Sequence, residues 1–368
     1  MSAVTARLRA WATNPVLRRE LLERWRGRRA FVVLTVYTVL LTGIYLLLYW
    51  LAREFVEDRL RFGGFAGFSV GPMIGRFLFE NLLAFVLLLV LFIGPGYAAA
   101  QISGERERKT LSLLQITLVR PSAIVAGKLG ASVAWMVLLV VAALPLGAVA
   151  FFLGGVSLAD LARGLVMILV VAVSVAALGI GISSATRRTT ASVIITYAAV
   201  LALVLGSLFA AVVESVAVRS WQNDTRPVSL YANPFYGLAD AVRANTIFSG
   251  DELPSVLSPF AAALPDSFRA QVAFEEEVVV GDGPGIQPME REIGAQDLAQ
   301  PTREPVWLKS MAIYAALGLL GWVMAAHRVK PGQGPKRKDR RRDDEREQTS
   351  PPPPPPPPSA GEPPFVNP

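Results

Sequence analysis

Few side chains in this sequence could perform acid–base, nucleophilic or redox chemistry. The 368 residues include one histidine and no cysteine, which excludes disulfides, thiolate metal sites and cysteine nucleophiles. The histidine, His327, stands at the end of an apolar block, where helix capping or snorkelling is its commoner role. A single histidine also excludes the HExxH pattern of metalloproteases. We therefore predict no catalytic residue, no metal site and no enzyme activity.

Nucleotide binding is not expected either. Gly127-Lys128 is the only fragment that approaches a phosphate-binding loop. Ser122 stands where that loop needs its first glycine, and Leu129 stands where it needs serine or threonine. The chain should therefore not bind ATP through this motif, and we predict no cofactor.

One further pair of charged residues lies within an apolar region. Arg76 and Glu80 are four residues apart near the outer end of a predicted span. Charged residues in a membrane often line a substrate path. An ion pair at an interface is the commoner use of this spacing on a helix. The pair could therefore line a substrate path or form an ion pair at an interface.

The elements that must position these residues are long apolar blocks. Hydrophobic residues make up 52% of the chain and charged residues 18%, with a mean hydropathy of +0.43. A helix needs about 20 residues to cross roughly 30 Å of hydrocarbon. Six blocks are long enough, at residues 30–51, 77–99, 125–152, 165–183, 189–213 and 306–327. We predict an all-α membrane protein with six transmembrane helices.

Basic residues mark every second junction between these blocks. Arginines precede the first block, Arg106, Arg108 and Lys109 follow the second, Arg187 and Arg188 join the fourth to the fifth, and a basic run follows the sixth. Cytoplasmic loops retain such residues, so both termini should be cytoplasmic and the chain should lie in the cytoplasmic (inner) membrane. The charge lies at span ends and in the tail, so nucleic acid is not an expected partner.

Cysteine accessibility tests this orientation. The natural chain has no cysteine, so single cysteines can be introduced without background labelling. A cysteine at position 282 should react with an impermeant thiol reagent added to intact cells, whereas cysteines at positions 187 and 340 should react only after permeabilisation. Labelling of position 187 in intact cells would contradict the six-span topology.

The blocks divide the chain into five predicted regions. These are a cytoplasmic N-terminus (1–29), five spans (30–213) with a cytoplasmic segment at 102–121, a large outer loop or domain (214–305), a sixth span (306–327) and a basic, proline-rich tail (328–368). Within the outer loop, residues 231–260 suit either helices at the membrane surface or a small soluble cap. The tail contains eight consecutive prolines and is expected to be disordered.

A stretch ahead of the first span predicts an amphipathic helix. Asn14 can cap a helix that opens with Pro15, and Leu17, Leu21, Leu22 and Trp25 then fall on one broad face. Such a helix would lie on the inner leaflet in contact with membrane lipid. A basic tail that only sets the topology is the alternative.

The most informative pattern lies between the second and third spans. Ser103 or Gly104 can start a helix that should end at Arg120-Pro121. Its charged positions are Glu105, Arg106, Glu107, Arg108 and Lys109, and its apolar positions include Leu111 and Leu114. Such a helix could present charge to a cytoplasmic partner while its leucines contact the membrane domain. A solvated linker with positive charge on the inner side is the alternative.

The charged segment between the second and third spans resembles that of a known family. The run from Gly104 to Leu114, GERERKTLSLL, is similar to the cytoplasmic signature of type-2 ABC transporter permeases, which also lies between the second and third spans. Residues 14–21 resemble the family's opening elbow helix, and the likeness extends through Asn233-Pro234-Phe235 to the last span. Lys109 stands where the family usually has glycine.

The resemblance implies a permease subunit of an ATP-driven transporter, usually an exporter. It would pair with a second permease subunit, identical or related, and with two ABC ATPase subunits per complex, in which ATP is hydrolysed. Residues 105–114 would be the coupling helix received by the ATPase. Glu105 should dominate over Glu107, because it lies nearer the helix start. The alternative is a membrane anchor or scaffold that recruits partners through its tail.

Overall fold

The computed structural model describes residues 15–25, 28–61, 70–110, 121–218, 227–243, 253–262 and 305–329. This part of the chain is helical and contains no β-strand. The α-helices are α1 (Pro15–Trp25), α2 (Arg28–Arg61), α3 (Val70–Ala99), α4 (Ser103–Glu107), α5 (Pro121–Leu153), α6 (Leu158–Ala185), α7 (Thr189–Leu201), α8 (Ser207–Val218), α9 (Pro234–Arg243), α10 (Ser258–Ala262) and α11 (Val306–Arg328).

Six helical segments of the described chain are long and apolar enough to cross a membrane. They are Ala30–Asp58, Val70–Glu107, Ser122–Leu153, Leu158–Ala185, Thr189–Ala217 and Val306–Arg328. Each contains one predicted block, so the predicted all-α membrane fold with six spans is confirmed. The second span begins seven residues before its predicted start because Arg76, a charge that a hydropathy window rejects, is buried within α3 with polar partners.

Pro95 lies inside α3, which continues through it to Ala99. Proline is tolerated in membrane helices where neighbouring groups bond the local backbone. Here the Tyr197 hydroxyl of α7 donates a 2.6 Å hydrogen bond to the carbonyl of Phe92. Gly96 leaves room for this contact, since a Cβ there would lie 2.6 Å from the Tyr197 hydroxyl oxygen. The proline region of the second span is thus joined to α7.

α6 is the central helix, and α11 packs along it through small residues. A Cβ on Gly321 would lie 2.5 Å from the carbonyl oxygen of Ala177, and one on Gly181 would lie 2.6 Å from that of Gly321. Close approach of this kind is the usual way in which membrane helices associate. It brings the carboxyl ends of α6 and α11 together at the end of the bundle that carries Arg106, Arg187 and Arg328, called the basic end below.

α9 lies within the predicted outer loop (214–305) and is part of the bundle. All ten of its residues are buried, and it packs against α6 and α11. Asn233 caps it, since its Oδ1 accepts from the amides of Phe235 and Tyr236. The Asn233 amide also donates to the Val204 carbonyl at 2.9 Å, within a π-helical turn at Ala202–Gly206 that joins α7 to α8. One asparagine therefore starts α9 and satisfies an irregular turn of the fifth span.

α1 packs against the start of α5, where Gly127 permits close approach. A Cβ at Gly127 would lie 2.9 Å from the Cβ of Val16. Leu17 is buried and Leu21 is half-buried, whereas Arg18 and Leu22 are exposed, so only part of the predicted apolar face packs against α5. Asn14, and the side chains of Pro15 and Trp25, lie outside the described residues. The position of α1 on a membrane surface stays a prediction.

Candidate functional site

The short helix α4 begins against the end of α6. The Ser183 hydroxyl of α6 accepts hydrogen bonds from the amides of Ile102, at 3.1 Å, and Ser103, at 2.9 Å. Ser103 is fully buried, and its hydroxyl donates to the carbonyl of Ala99. The amides that a helix start leaves without an internal partner are thus bonded by a neighbouring span.

Arg106 joins α4 to the carboxyl end of α6. Its guanidinium donates to the carbonyl of Ser184 at 3.0 Å and to the carbonyl of Thr186. Thr186 is the residue that ends α6. The last carbonyls of a helix lack internal donors and carry partial negative charge, so an arginine there stabilises the helix end.

Glu107 caps the start of the fifth span. Its carboxylate accepts from the amide of Thr189 at 2.9 Å and from the Thr189 hydroxyl at 2.7 Å. Arg188, which precedes α7, offers no side-chain cap of its own. A carboxylate at a helix N-terminus is favourable for both hydrogen bonding and the helix dipole. Glu107 therefore supplies from α4 the cap that α7 lacks.

Glu105 takes part in a charged group at the junction of three helices. The ammonium of Lys128, on α5, lies 2.7 Å from Glu105 Oε1 and 2.9 Å from Oε1 of Glu20, on α1. Lys128 is 1% exposed, so its charge depends on these two carboxylates. The group formed by Glu20, Lys128 and Glu105, called the lysine node below, joins α1, α4 and α5.

α4 ends earlier than the sequence predicted. Arg108 is its C-terminal cap, and Lys109 has a φ of 57°. The Lys109 amide donates to the Arg106 carbonyl and the Thr110 amide to the Glu105 carbonyl, which is the Schellman pattern of a helix end. The prediction of one continuous helix to Arg120-Pro121 is therefore wrong at this point. Leu111 and Leu114 lie outside the described residues.

The turn at Lys109 yields a prediction, because glycine adopts a left-handed conformation without the steric cost that a Cβ brings. A left-handed conformation is unfavourable for a residue with a Cβ by about 1 kcal/mol. Lys109→Gly should therefore raise the melting temperature of the purified protein, followed by tryptophan fluorescence in detergent. Arg108→Gly is the control, because Arg108 has a φ of −77°, at which glycine relieves no strain. If Lys109→Gly lowered the melting temperature as Arg108→Gly should, the turn would not be strained.

The predicted contact residues divide into two groups. Glu105, Arg106 and Glu107 have the side-chain partners described above. Arg108 and Lys109, like Glu107, are exposed at the end of the helix. The geometry does not favour the expectation that Glu105 faces a partner, since its Oε1 binds Lys128. Sequence reasoning missed Lys128 and Glu20 as functional residues. A lone lysine four residues inside an apolar block was an available signal, because a charge there needs a partner.

Arg76 and Glu80 belong to a second buried group, at the opposite end of the bundle. Arg76 Nε lies 2.9 Å from Glu80 Oε1, and both side chains are buried. Glu80 also accepts from Arg243 of α9, at 2.8 Å, and from the Ser255 hydroxyl, at 2.5 Å. Arg76 lies 3.5 Å from Asp160 of α6. The predicted i,i+4 pair exists and both of its side chains are buried, while a role in a substrate path stays a prediction.

Comparison with protein families gives one match that covers more than half of the chain. The model described as "ABC-2 type transporter" matches residues 14–247. This range includes α1, α4, the lysine node and the Arg76–Glu80 pair. No curated protein matches the chain.

Proposed function

The chain belongs to the ABC-2 type transporter family and is a multi-pass membrane permease subunit, and on this premise we propose that it is coupled to separate ATPase subunits through residues 103–110. The observation that carries the proposal is the set of bonds around α4. One helix of five residues is tied to α6 by Ser183 and Arg106, to α7 by Glu107, and to α5 and α1 through Lys128.

These bonds give the coupling a physical route. The side chains of Arg108 and Lys109 are exposed at the end of α4, where a partner can contact them. A displacement of α4 by that partner is transmitted to α1, α5, α6 and α7, because each is bonded to it directly or through Lys128. Movement of packed helices as a unit is a common form of switching in proteins. Glu105, Arg106 and Glu107 then transmit the motion, and Arg108 meets the partner.

The remaining features of the proposal follow from the family and the charge pattern. The complex contains two ATPase subunits and a second permease subunit, identical or related, and ATP is hydrolysed only in the ATPases. Transport is in the export direction, across the cytoplasmic (inner) membrane, with both termini cytoplasmic as the basic junctions indicate. The scaffold alternative is not favoured by the family match, which ends before the proline-rich tail.

Charge reversal at Arg108 tests the coupling contact. Arg108→Glu should leave the protein folded, because this side chain is exposed, while reducing co-purification of the ATPase at least tenfold. A reversed charge at an interface commonly costs about 2 kcal/mol or more. The measurement is the ATPase-to-permease ratio after affinity purification from membranes, together with ATP-dependent transport.

Arg18→Glu is the matched control for this experiment. Arg18 is an exposed arginine of α1, at the same end of the bundle, and lies outside the coupling segment. It should retain the ATPase as the wild type does. Equal retention by Arg108→Glu and wild type would show that the segment is only a charged linker.

A further inference from the structure

A cavity of about 440 Å³ lies at the basic end of the bundle, beside the carboxyl ends of α6 and α11. It is lined by Arg106, Ser184, Ala185, Arg187 and Arg328. Three of these five residues are arginines, and they come from α4, the α6–α7 connection and α11. Segments far apart in the sequence therefore converge on one positively charged cavity.

The nearby acidic groups do not neutralise this charge. Glu105 binds Lys128 and Glu107 caps α7. Arg106 is engaged by the carbonyls at the end of α6. Among the described residues, neither Arg187 nor Arg328 forms an ion pair, and both are exposed. Two guanidinium groups thus remain available to a ligand.

Topology alone does not explain the arrangement. Basic residues keep the ends of spans on the cytoplasmic side of the membrane and interact with helix dipoles. Neither role requires the basic residues to lie close to one another. Here Arg187 and Arg328 border the same cavity. Guanidinium groups that converge in this way suit a phosphate, which they can bind through paired hydrogen bonds.

The surroundings of the cavity indicate what kind of molecule carries such a phosphate. Leu320, Met324 and Arg328 are spaced four apart on α11 and so lie along one stripe. Leu320 is 61% exposed, and Met324 reaches Gly181 of α6, where a Cβ would lie 2.7 Å from its terminal methyl. Along the α6–α11 seam, apolar side chains are therefore followed by arginines. A phospholipid has the same order of groups, with an apolar acyl chain followed by a charged headgroup.

We propose that this cavity binds a phosphate group, and specifically that of an acidic phospholipid whose acyl chain lies along the α11 stripe. Basic pockets between spans on the cytoplasmic side are suited to such headgroups. The site does not depend on the coupling role of α4.

Lipid binding by three forms of the full-length chain tests the proposal. Wild type, Arg187→Gln/Arg328→Gln and Arg188→Gln are placed in nanodiscs of phosphatidylcholine containing a trace of fluorescent phosphatidylglycerol. Energy transfer from tryptophan then reports the bound acidic lipid. Nonspecific attraction of acidic lipid is about 1 kcal/mol per surface arginine, roughly fivefold in affinity. Arg187→Gln/Arg328→Gln removes two such contributions and the paired hydrogen bonds as well, so it should weaken binding by more than roughly thirtyfold. Arg188→Gln removes one charge next to the cavity without lining it, so its affinity should fall by roughly fivefold at most.

Competition arms separate the two sources of phosphate. Unlabelled phosphatidylglycerol should displace the probe, whereas inorganic phosphate and glycerophosphate at the same concentration should not. Displacement by inorganic phosphate as effective as that by lipid would overturn the lipid assignment in favour of a soluble phosphate. Equal binding by wild type and the double variant would overturn the site altogether.

Two further measurements keep the test decisive. If the double variant does not fold, Arg187→Lys/Arg328→Lys retains the charge but not the paired hydrogen bonds, and should show intermediate affinity for the lipid. Unchanged affinity in that variant would contradict the guanidinium site. Loss of ATPase co-purification by the double variant with unchanged lipid binding would identify the cavity as a protein interface and would also overturn the proposal.

Discussion

Replacing Lys128 with methionine is expected to destabilise the basic end of the bundle more than any other single change there. The substitution leaves the carboxylates of Glu20 and Glu105 without their ammonium, and their side chains are only 15% and 24% exposed. Removing one partner of a buried ion pair costs about 3–5 kcal/mol. We expect a value near the lower limit, because both carboxylates retain some access to water. The measurement is the melting temperature and the folded yield in detergent.

A rescue variant separates folding from coupling. In Lys128→Met/Glu20→Gln/Glu105→Gln no charge remains, so most of the lost stability should return, since neutral replacement of a buried ionic group is often tolerated. The ion pairs that join α1, α4 and α5 would nevertheless be absent. We therefore expect a folded protein that retains the ATPase through Arg108 but transports poorly. Wild-type transport by this variant would show that the lysine node serves stability alone.

The parts of the fold that were predictable are those set by local composition. Six blocks of apolar residues predicted six spans, because a long uncharged helix in lipid has few alternatives. The start of α1 at Pro15 was also predictable, since proline is favoured at the first helical position. The spacing of Arg76 and Glu80 predicted an ion pair on one helix. Each of these inferences uses residues that are close in sequence.

The remaining features depend on contacts between distant residues. Glu20 and Lys128 are 108 positions apart and Glu80 and Arg243 are 163 apart. A single sequence contains no pattern that indicates contact between residues so distant from each other. The end of α4 was missed for a different reason. Lysine has a good helix propensity, so nothing local at Lys109 indicates a left-handed turn. Only the comparison with the glycine usual in the family marked that position.

α9 illustrates the same limit in the outer segment. Its aromatic and small residues were compatible with a helix at the membrane surface or with a soluble cap. The structure instead buries all ten residues of the helix. Arg243 and Asp240 can be buried because each has a partner on another element: Arg243 binds Glu80, and Asp240 accepts from the amide of Trp307 at the start of α11. Polar residues that look like surface positions thus become the contacts that hold α9 in place.

Glu80→Gln should have the largest effect at the opposite end of the bundle, and it tests this account of α9. Glu80 is 1% exposed and accepts hydrogen bonds from Arg76, Arg243 and Ser255. A neutral amide removes the carboxylate that two buried guanidiniums share, those of Arg76 and Arg243. Losing one partner of a buried ion pair costs about 3–5 kcal/mol. The melting temperature should fall markedly.

Hydrogen exchange locates the damage and supplies the control. Because Glu80 holds α9 through Arg243, the amides of α9 should lose protection in Glu80→Gln before those of α6 do. The matched control is Glu57→Gln, which removes a carboxylate from an exposed pair on α2 with the same i,i+4 spacing as Arg76 and Glu80. Exposed pairs contribute little, so its melting temperature and exchange pattern should match the wild type. If Glu80→Gln shifted the melting temperature no more than Glu57→Gln does, water would solvate the cluster in the protein, and the ion pairs of Glu80 would not be what holds α9.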